Sequence, residues 1–239
     1  MITKETTDFS NVDFNSGEVI LVDKPSGWTS FKVVHIIRKI TGVKKVGHAG
    51  TLDPLASGLL ILCTGKKTKE ITKFQEREKT YTGIITLGKK TLSMDLETEI
   101  IEEKSVDGVK QSDIERARDL FVGEILQTPP MYSALKVGGK TLYNLARKGK
   151  TIKREPRKVK VSKFLIKKIQ LPDIHFEIRC SKGTYIRVIA NDMGEELGVG
   201  GVLSSLRRTM IGKFSVINAL KVEAFEQKMK EFKSTSQPG

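Results

Sequence analysis

The residues best suited to chemistry sit in a short glycine-bounded loop, residues 47–58 (GHAGTLDPLASG), which carries both His48 and Asp53. Pro54 biases Asp53 away from α-helical backbone, so its carboxylate is presented from an extended or turn conformation just ahead of the apolar run at 59–63. Such an aspartate can simply close a turn. It can also serve as a covalent nucleophile, provided a cation keeps it ionised in a dry site. Arg187 is a candidate for that cation. On an expected strand over 182–190, Tyr185 and Arg187 are two apart and share a face, while Ile186 and Val188 take the other. Tyr81, at the head of another expected strand, offers a second aromatic wall, although strand tyrosines more often pack with a hydrogen-bonded hydroxyl.

Other chemistries find less support. Gly58 and Gly65 enclose six residues, whereas a phosphate-cradling loop needs four between its glycines and then Lys-Ser/Thr. His35 lies in a helix with an apolar stripe and His175 alternates opposite an inward-facing set, so the histidines do not converge on a metal. Cys63 and Cys180 lack zinc-site spacing and point to a reducing compartment. No metal and no cofactor are expected.

The elements that must position these residues read as an α+β chain. Residues 18–23 form a buried strand closed by Pro25, Ser26 and Gly27. Val33, Val34, Ile36, Ile37 and Ile40 then give one apolar helix face, with Ser30 as N-cap and Gly42 as stop. Residues 59–63 and 80–87 read as strands. Residues 112–124 read as a helix opened by a Ser112/Glu115 capping box. Ile174, Phe176, Ile178 and Cys180 alternate as in a half-buried antiparallel strand, with 182–190 its expected partner. Helical pieces are expected at 188–197 and 202–208, after about fifteen polar residues at the start of the chain and before a frayed end.

Length and charge bound the rest. The 239 residues can bury a core without covalent staples, and 42 basic against 28 acidic residues leave a net charge of +14. Between 136 and 168 thirteen Lys or Arg face a single acid, Glu155, so this segment carries +12 of that total. Lysine runs often make solvated faces or protect sheet edges. The scarcity of acids, with Tyr132, Tyr143 and several glycines, favours an arm that tracks a phosphate backbone. No apolar run nears the ~20 residues of a membrane span, and the first ten residues carry no apolar leader core; a soluble, cytoplasmic protein with no membrane partner is expected.

Six ordered motifs resemble those of the bacterial tRNA pseudouridine-55 synthase (TruB) family. They are VDKPSG with Thr29-Ser30, the loop from Gly47-His48 through Asp53-Pro54 to Gly58-Leu59-Leu60, Lys79-Thr80-Tyr81, Pro129-Pro130 with Tyr132-Ser133-Ala134 and Lys136, Gly183-Thr184-Tyr185-Ile186-Arg187, and Leu206-Arg207-Arg208-Thr209. The resemblance implies an isomerase that converts one uridine of the tRNA T-loop to pseudouridine on a flipped-out base. It implies the pseudouridine synthase α+β fold, a mixed, largely antiparallel sheet flanked by helices, with a basic thumb at 126–153 inside a catalytic domain at 18–228. Residues 1–17 would be an extension and 229–239 a frayed tail, with no separate C-terminal RNA-binding module.

Carried over residue by residue, the resemblance makes Asp53 the nucleophile, Tyr81 the ring packed on the base, Tyr185 a pocket wall and Arg187 the nucleophile's partner. His48 would hold the rearranged T-loop and Leu206 would pack at the pocket. Lys24, Lys69, Asp95, Tyr132, Lys136, Arg147, Lys148 and Lys150 are the further substrate-binding candidates. The expected partner is the tRNA T-arm, met by a monomer without guide RNA. Two alternatives stand beside it: a non-catalytic RNA-binding module, and a guide-dependent synthase of the dyskerin type. The sequence ASGLL after Asp53-Pro54-Leu55 is closer to the stand-alone bacterial form.

Overall fold

The computed structural model describes residues 1–235. In chain order the elements are β1 (Val19–Lys24), α1 (Ser30–Thr41), β2 (Val46–His48), β3 (Ser57–Thr64), α2 (Ile71–Gln75), β4 (Lys79–Leu87), β5 (Lys89–Thr91) and β6 (Ile100–Glu103). They continue with α3 (Gln111–Asp119), β7 (Gly123–Gln127), β8 (Lys136–Val137), β9 (Lys140–Thr141), α4 (Leu142–Ala146), β10 (Arg157–Gln170) and β11 (Asp173–Cys180). The last are α5 (Ile186–Glu196), β12 (Gly201–Ile211), β13 (Phe214–Ser215), β14 (Leu220–Lys221) and α6 (Val222–Thr235). The architecture is α+β with a mixed, mostly antiparallel sheet. The chain divides into two compact units, one of Met1–Lys79 with the residues from Arg207 onward, the other Thr80–Leu206.

In the first unit β1 pairs antiparallel with β3, from Val19 opposite Cys63 to Lys24 opposite Gly58, and parallel with β14. Alternate side chains of β1 and β3 enter two different cores, which is why both strands read as unbroken apolar runs. Ile20, Val22, Leu60 and Leu62 pack with Val33, Val34 and Ile37 of α1 and Phe225 and Met229 of α6. Val19, Leu21, Leu59, Ile61 and Cys63 pack with Phe74 and Ile211. Three expectations need correcting here. The first fifteen residues are not merely polar, because Ile2, Phe9 and Phe14 plug the α1/α6 core. The segment 229–235 is not frayed but completes α6, with Met229 buried; residues 236–239 lie outside the described part. Thr29, not Ser30, caps α1, its hydroxyl accepting from the Lys32 amide at 3.0 Å, and Gly42 ends the helix at φ +72°.

In the second unit the strand order is β12, β4, β11, β10, β7, and the β10 and β11 ladder is antiparallel with Val161 opposite Cys180 and Phe164 opposite Ile178. The lysine-interleaved segment is therefore β10, and it, not 182–190, is the partner of β11. Residues from 186 onward form α5 instead: the turn at 181–184, with Gly183 at φ +78°, redirects the chain, and Ile186, Val188, Ile189 and Met193 are buried as a helix face. Residues 202–208 belong to β12 and not to a helix. α3 starts one residue before expectation, and its reciprocal cap is Asp113, which accepts from the Lys110 amide at 3.2 Å.

Candidate active site

Asp53 sits half-buried in the first unit, in a loop fixed from several directions. The turn after β1 supplies one side. Ser26 Oγ donates to the Leu55 carbonyl at 2.7 Å, and the Gly27 amide donates to the Pro54 carbonyl at 2.9 Å. Ser30, released from capping, donates its hydroxyl to the Leu52 carbonyl at 3.1 Å and accepts from the Leu52 amide at 2.9 Å. Arg208, 1% exposed, donates to the carbonyls of Leu59 at 2.8 Å and Gly50 at 3.0 Å. The backbones of Gly58 and Arg208 approach so closely that a Cβ on Gly58, at φ +105°, would lie 2.3 Å from the Arg208 oxygen.

Lys24 completes this frame. The side chain is fully buried, and its ammonium donates to the carbonyls of Pro25 at 3.0 Å, Trp28 at 2.5 Å and Pro54 at 3.2 Å. Burial lowers its pKa from 10.5 to about 8, the Asp53 charge opposes that fall, and the Arg208 charge adds to it. Lys24 thus ties the turn after β1 to the Asp53 loop through the Pro54 carbonyl and acts on Asp53 as a counter-charge. His48, at the end of β2, is held below the ordinary imidazole value, first by burial and then by the Arg208 charge, while the Gly50 backbone pulls the other way. Its ring meets Phe31 edge to face at 5.7 Å. Phe31 is 72% exposed, an aromatic surface that sequence reasoning passed over because it breaks no pattern on α1. Beside it on the same turn, Lys32 Nζ stands 4.0 Å over the Trp28 ring. Lys69 lies apart from this group, exposed in the helical turn after β3.

The second unit brings Arg187, Asp95, Tyr132 and Tyr185 together. Tyr185 caps α5, and its backbone is clamped by buried Gln127, which donates to the Tyr185 carbonyl at 3.1 Å and accepts from its amide at 2.7 Å. Arg187, 2% exposed, has Nη1 3.6 Å from Asp95 Oδ2, donates through Nη2 to the Tyr132 carbonyl, and carries its guanidinium 5.6 Å from the Tyr185 ring. The helix brings ring and guanidinium together although the strand expected for them does not exist. Asp95 is itself buried, in a loop whose Met94 adopts φ +65°, strained for a residue with a side chain. The Leu203 amide donates to the Met94 carbonyl at 3.0 Å, pinning this loop to β12. Tyr81 on β4 is 9% exposed. Leu206 ends the β12 stretch of this unit half-buried, and Lys136, Arg147, Lys148 and Lys150 are all exposed on the insertion between β7 and β10. No group of three His, Cys, Asp or Glu among the described residues is placed to hold a metal. No described helix is long and apolar enough to cross a membrane.

Comparison with known proteins adds lineage to this geometry. A family model described as "TruB family pseudouridylate synthase (N terminal domain)" matches residues 38–186, and one described as "tRNA pseudouridylate synthase B C-terminal domain" matches 187–237. The chain is 50% identical over 213 residues to tRNA pseudouridine synthase B of Chlorobaculum tepidum, covering 87% of this chain and 89% of that protein. It is 51% identical over 218 residues to that of Chloroherpeton thalassium, covering 89% and 90%. Among solved structures it resembles a chain of a Cbf5-Nop10-Gar1 complex, with a TM-score of 0.75 at 28% identity; all of this chain is covered, and it spans 61% of that one.

Proposed function

The chain belongs to the TruB family of pseudouridylate synthases, and from that premise we propose that it isomerises uridine to pseudouridine at position 55 in the T-loop of tRNA, with Asp53 as nucleophile. The observation that carries this reading is the Asp53 loop: a half-buried carboxylate presented from a frame of buried Lys24, Ser30 and Arg208, in a chain about half identical to named tRNA pseudouridine synthases.

The isomerisation exchanges a bond from C1′ to N1 for one from C1′ to C5, adding no atoms and moving no net electrons. Access and control are its difficulties. A stacked uridine must be extruded at a cost of roughly a few kcal/mol, which phosphate contacts and aromatic stacking can offset. Lys136, Arg147, Lys148 and Lys150 on the 126–153 thumb supply the first, and Tyr81 and Tyr185 the second. His48 and Leu206 support the distorted T-loop and the base. Asp53 attacks or promotes elimination, and uracil turns within the closed site before rejoining the sugar through C5. Held in place, that recapture is effectively intramolecular, an advantage of about 7–11 kcal/mol over free encounter. Arg187, aligned by Asp95 and the Tyr132 carbonyl, supplies the guanidinium that favours the ionised carboxylate. The enzyme acts alone, in the cytoplasm, without guide RNA.

The test is a T-loop minihelix transcript incubated with purified protein and mapped for pseudouridine at single-nucleotide resolution. Wild-type protein converts the T-loop uridine unaided, and Asp53→Asn binds with near-normal affinity but gives no product. Product from a clean Asp53→Asn preparation removes it as nucleophile. Conversion that appears only with a guide RNA and partner proteins would favour the guide-dependent reading suggested by the Cbf5 likeness.

A further inference from the structure

The basic insertion does more than carry lysines, because its fold closes on the loop that aligns Arg187. Tyr143, in the first turn of α4, donates its hydroxyl to Glu97 Oε1 at 2.7 Å. The Glu97 amide donates to Asp95 Oδ1 at 3.0 Å, and the other Asp95 oxygen faces Arg187 at 3.6 Å. Arg187 in turn donates to the carbonyl of Tyr132, whose ring meets that of Tyr143 edge to face at 6.0 Å. The circuit Tyr143, Glu97, Asp95, Arg187, Tyr132 and back to Tyr143 is therefore closed, and all five residues lie in the second unit.

Tyr132 and Tyr143 are also held in one piece. The Tyr143 amide donates to the Ser133 carbonyl at 2.9 Å and the Leu142 amide to the Leu135 carbonyl at 2.8 Å, with the Leu142 side chain fully buried. Of the exposed cations of the insertion, Lys136 lies within this piece and Arg147, Lys148 and Lys150 follow directly after α4. The Glu97 carboxylate, with burial second, raises the Tyr143 hydroxyl above the ordinary phenol value, so it stays a donor throughout the neutral range.

We propose that the Tyr143 to Glu97 hydrogen bond is a latch by which the RNA-gripping insertion sets the position of Arg187, making Tyr143 and Glu97 positioning residues for catalysis. The proposal rests on the tRNA pseudouridine synthase reading. RNA held by these cations fixes the insertion, and the latch passes that fixation through the Asp95 loop to the guanidinium. Neither positioning residue needs to touch the base for the chemical step to depend on it.

Tyr143→Phe removes only the hydroxyl and keeps the ring contact with Tyr132; Glu97→Gln keeps an acceptor without its charge. Each variant and the double variant are compared with wild type by thermal melting, tRNA binding, single-turnover rate and amide exchange in the free protein. Tyr143→Phe is expected to melt like wild type, bind tRNA within about twofold, react about tenfold more slowly, the scale of one lost charge-assisted bond, and exchange faster across 132–147. Glu97→Gln should fall between, and the double variant should be no slower than Tyr143→Phe, because both changes act on one and the same bond. An unchanged rate, a loss confined to binding, or additive losses in the double variant would overturn the latch. If wild-type protein made no pseudouridine, the functional reading would fail; the exchange measurement would still show whether the latch exists, and unchanged protection in Tyr143→Phe would refute it.

Discussion

At the scale of single residues, a buried ammonium next to a carboxylate makes a titration prediction with a definite sign. Lys24 has its pKa lowered to about 8 by burial, and Asp53 is the group that limits the fall. Because the folded value lies below the ordinary 10.5, the charged form is disfavoured by folding; that cost is present in full below about pH 8 and is relieved as pH rises from about 8 toward 10.5. Carbon-labelled lysine NMR should find one side chain titrating near pH 8, apart from the exposed lysines, and Asp53→Asn should move that midpoint lower still. An unmoved midpoint would mean the two charges do not feel each other. Phe31 carries the second prediction at this scale. Its exposed ring on His48 is suited to stack on an unpaired base, a contact worth about 1–3 kcal/mol, so Phe31→Ala should weaken minihelix binding by roughly tenfold or more with little change in single-turnover rate. Asp53, His48 and Arg187 were legible in the sequence because loop placement and ordered motifs mark them. The work of Lys24 and Ser30 was not, since a lysine before Pro-Ser-Gly and a serine opening a helix each have a commoner use, and only tertiary contacts turn both toward the Asp53 loop.

Among the elements, β1, β3 and β4 were read correctly and two other short apolar runs were not. β1, β3 and β4 have lengths and flanking turns that leave one interpretation. The runs at 186–190 and 202–208 fit either period, since five to seven residues cannot separate 3.6 from 2. Neighbours decided them: Gly201–Ile211 lies beside β4, whereas the run after Tyr185 turns into a helix with its apolar face buried. Where β3 passes β12, Gly58 and Arg208 approach so closely that the three obstructing Arg208 atoms are all backbone and cannot swing away. Gly58→Ala combines this overlap with an unfavourable positive φ and should cost about 2 kcal/mol or more in a urea unfolding experiment, well above the usual effect of an added methyl on a surface strand. A midpoint matching wild type would show that the two strands can part without penalty.

For the molecule as a whole, charge is the property most plainly written in the sequence. Twelve of the fourteen net positive charges fall between 136 and 168, and the structure puts them on the exposed insertion and on β10. Binding driven by phosphate contacts should weaken steeply with salt, at about 0.7–0.9 in the logarithmic slope for each contact. Replacing Lys148, Lys150 and Lys153 together by glutamine should lower that slope by about two while leaving the rate at saturating tRNA nearly unchanged. A wild-type slope in the triple variant would place this part of the insertion outside the RNA footprint. The circuit from Tyr143 to Arg187 was invisible at this scale, because its members are scattered from 95 to 187 and only one of its links, Asp95 to Arg187, joins opposite charges.

The enclosure of Lys24 also has a chemical corollary. With its pKa at about 8, about one-tenth of this amine is uncharged at pH 7, against well under a thousandth for an ordinary lysine. No reagent can reach that free-base fraction while its three carbonyls hold it, so an acylating electrophile would mark this amine only in molecules whose turn has momentarily come apart. The rate of labelling at that one amine would serve as a clock for how often the Asp53 loop opens.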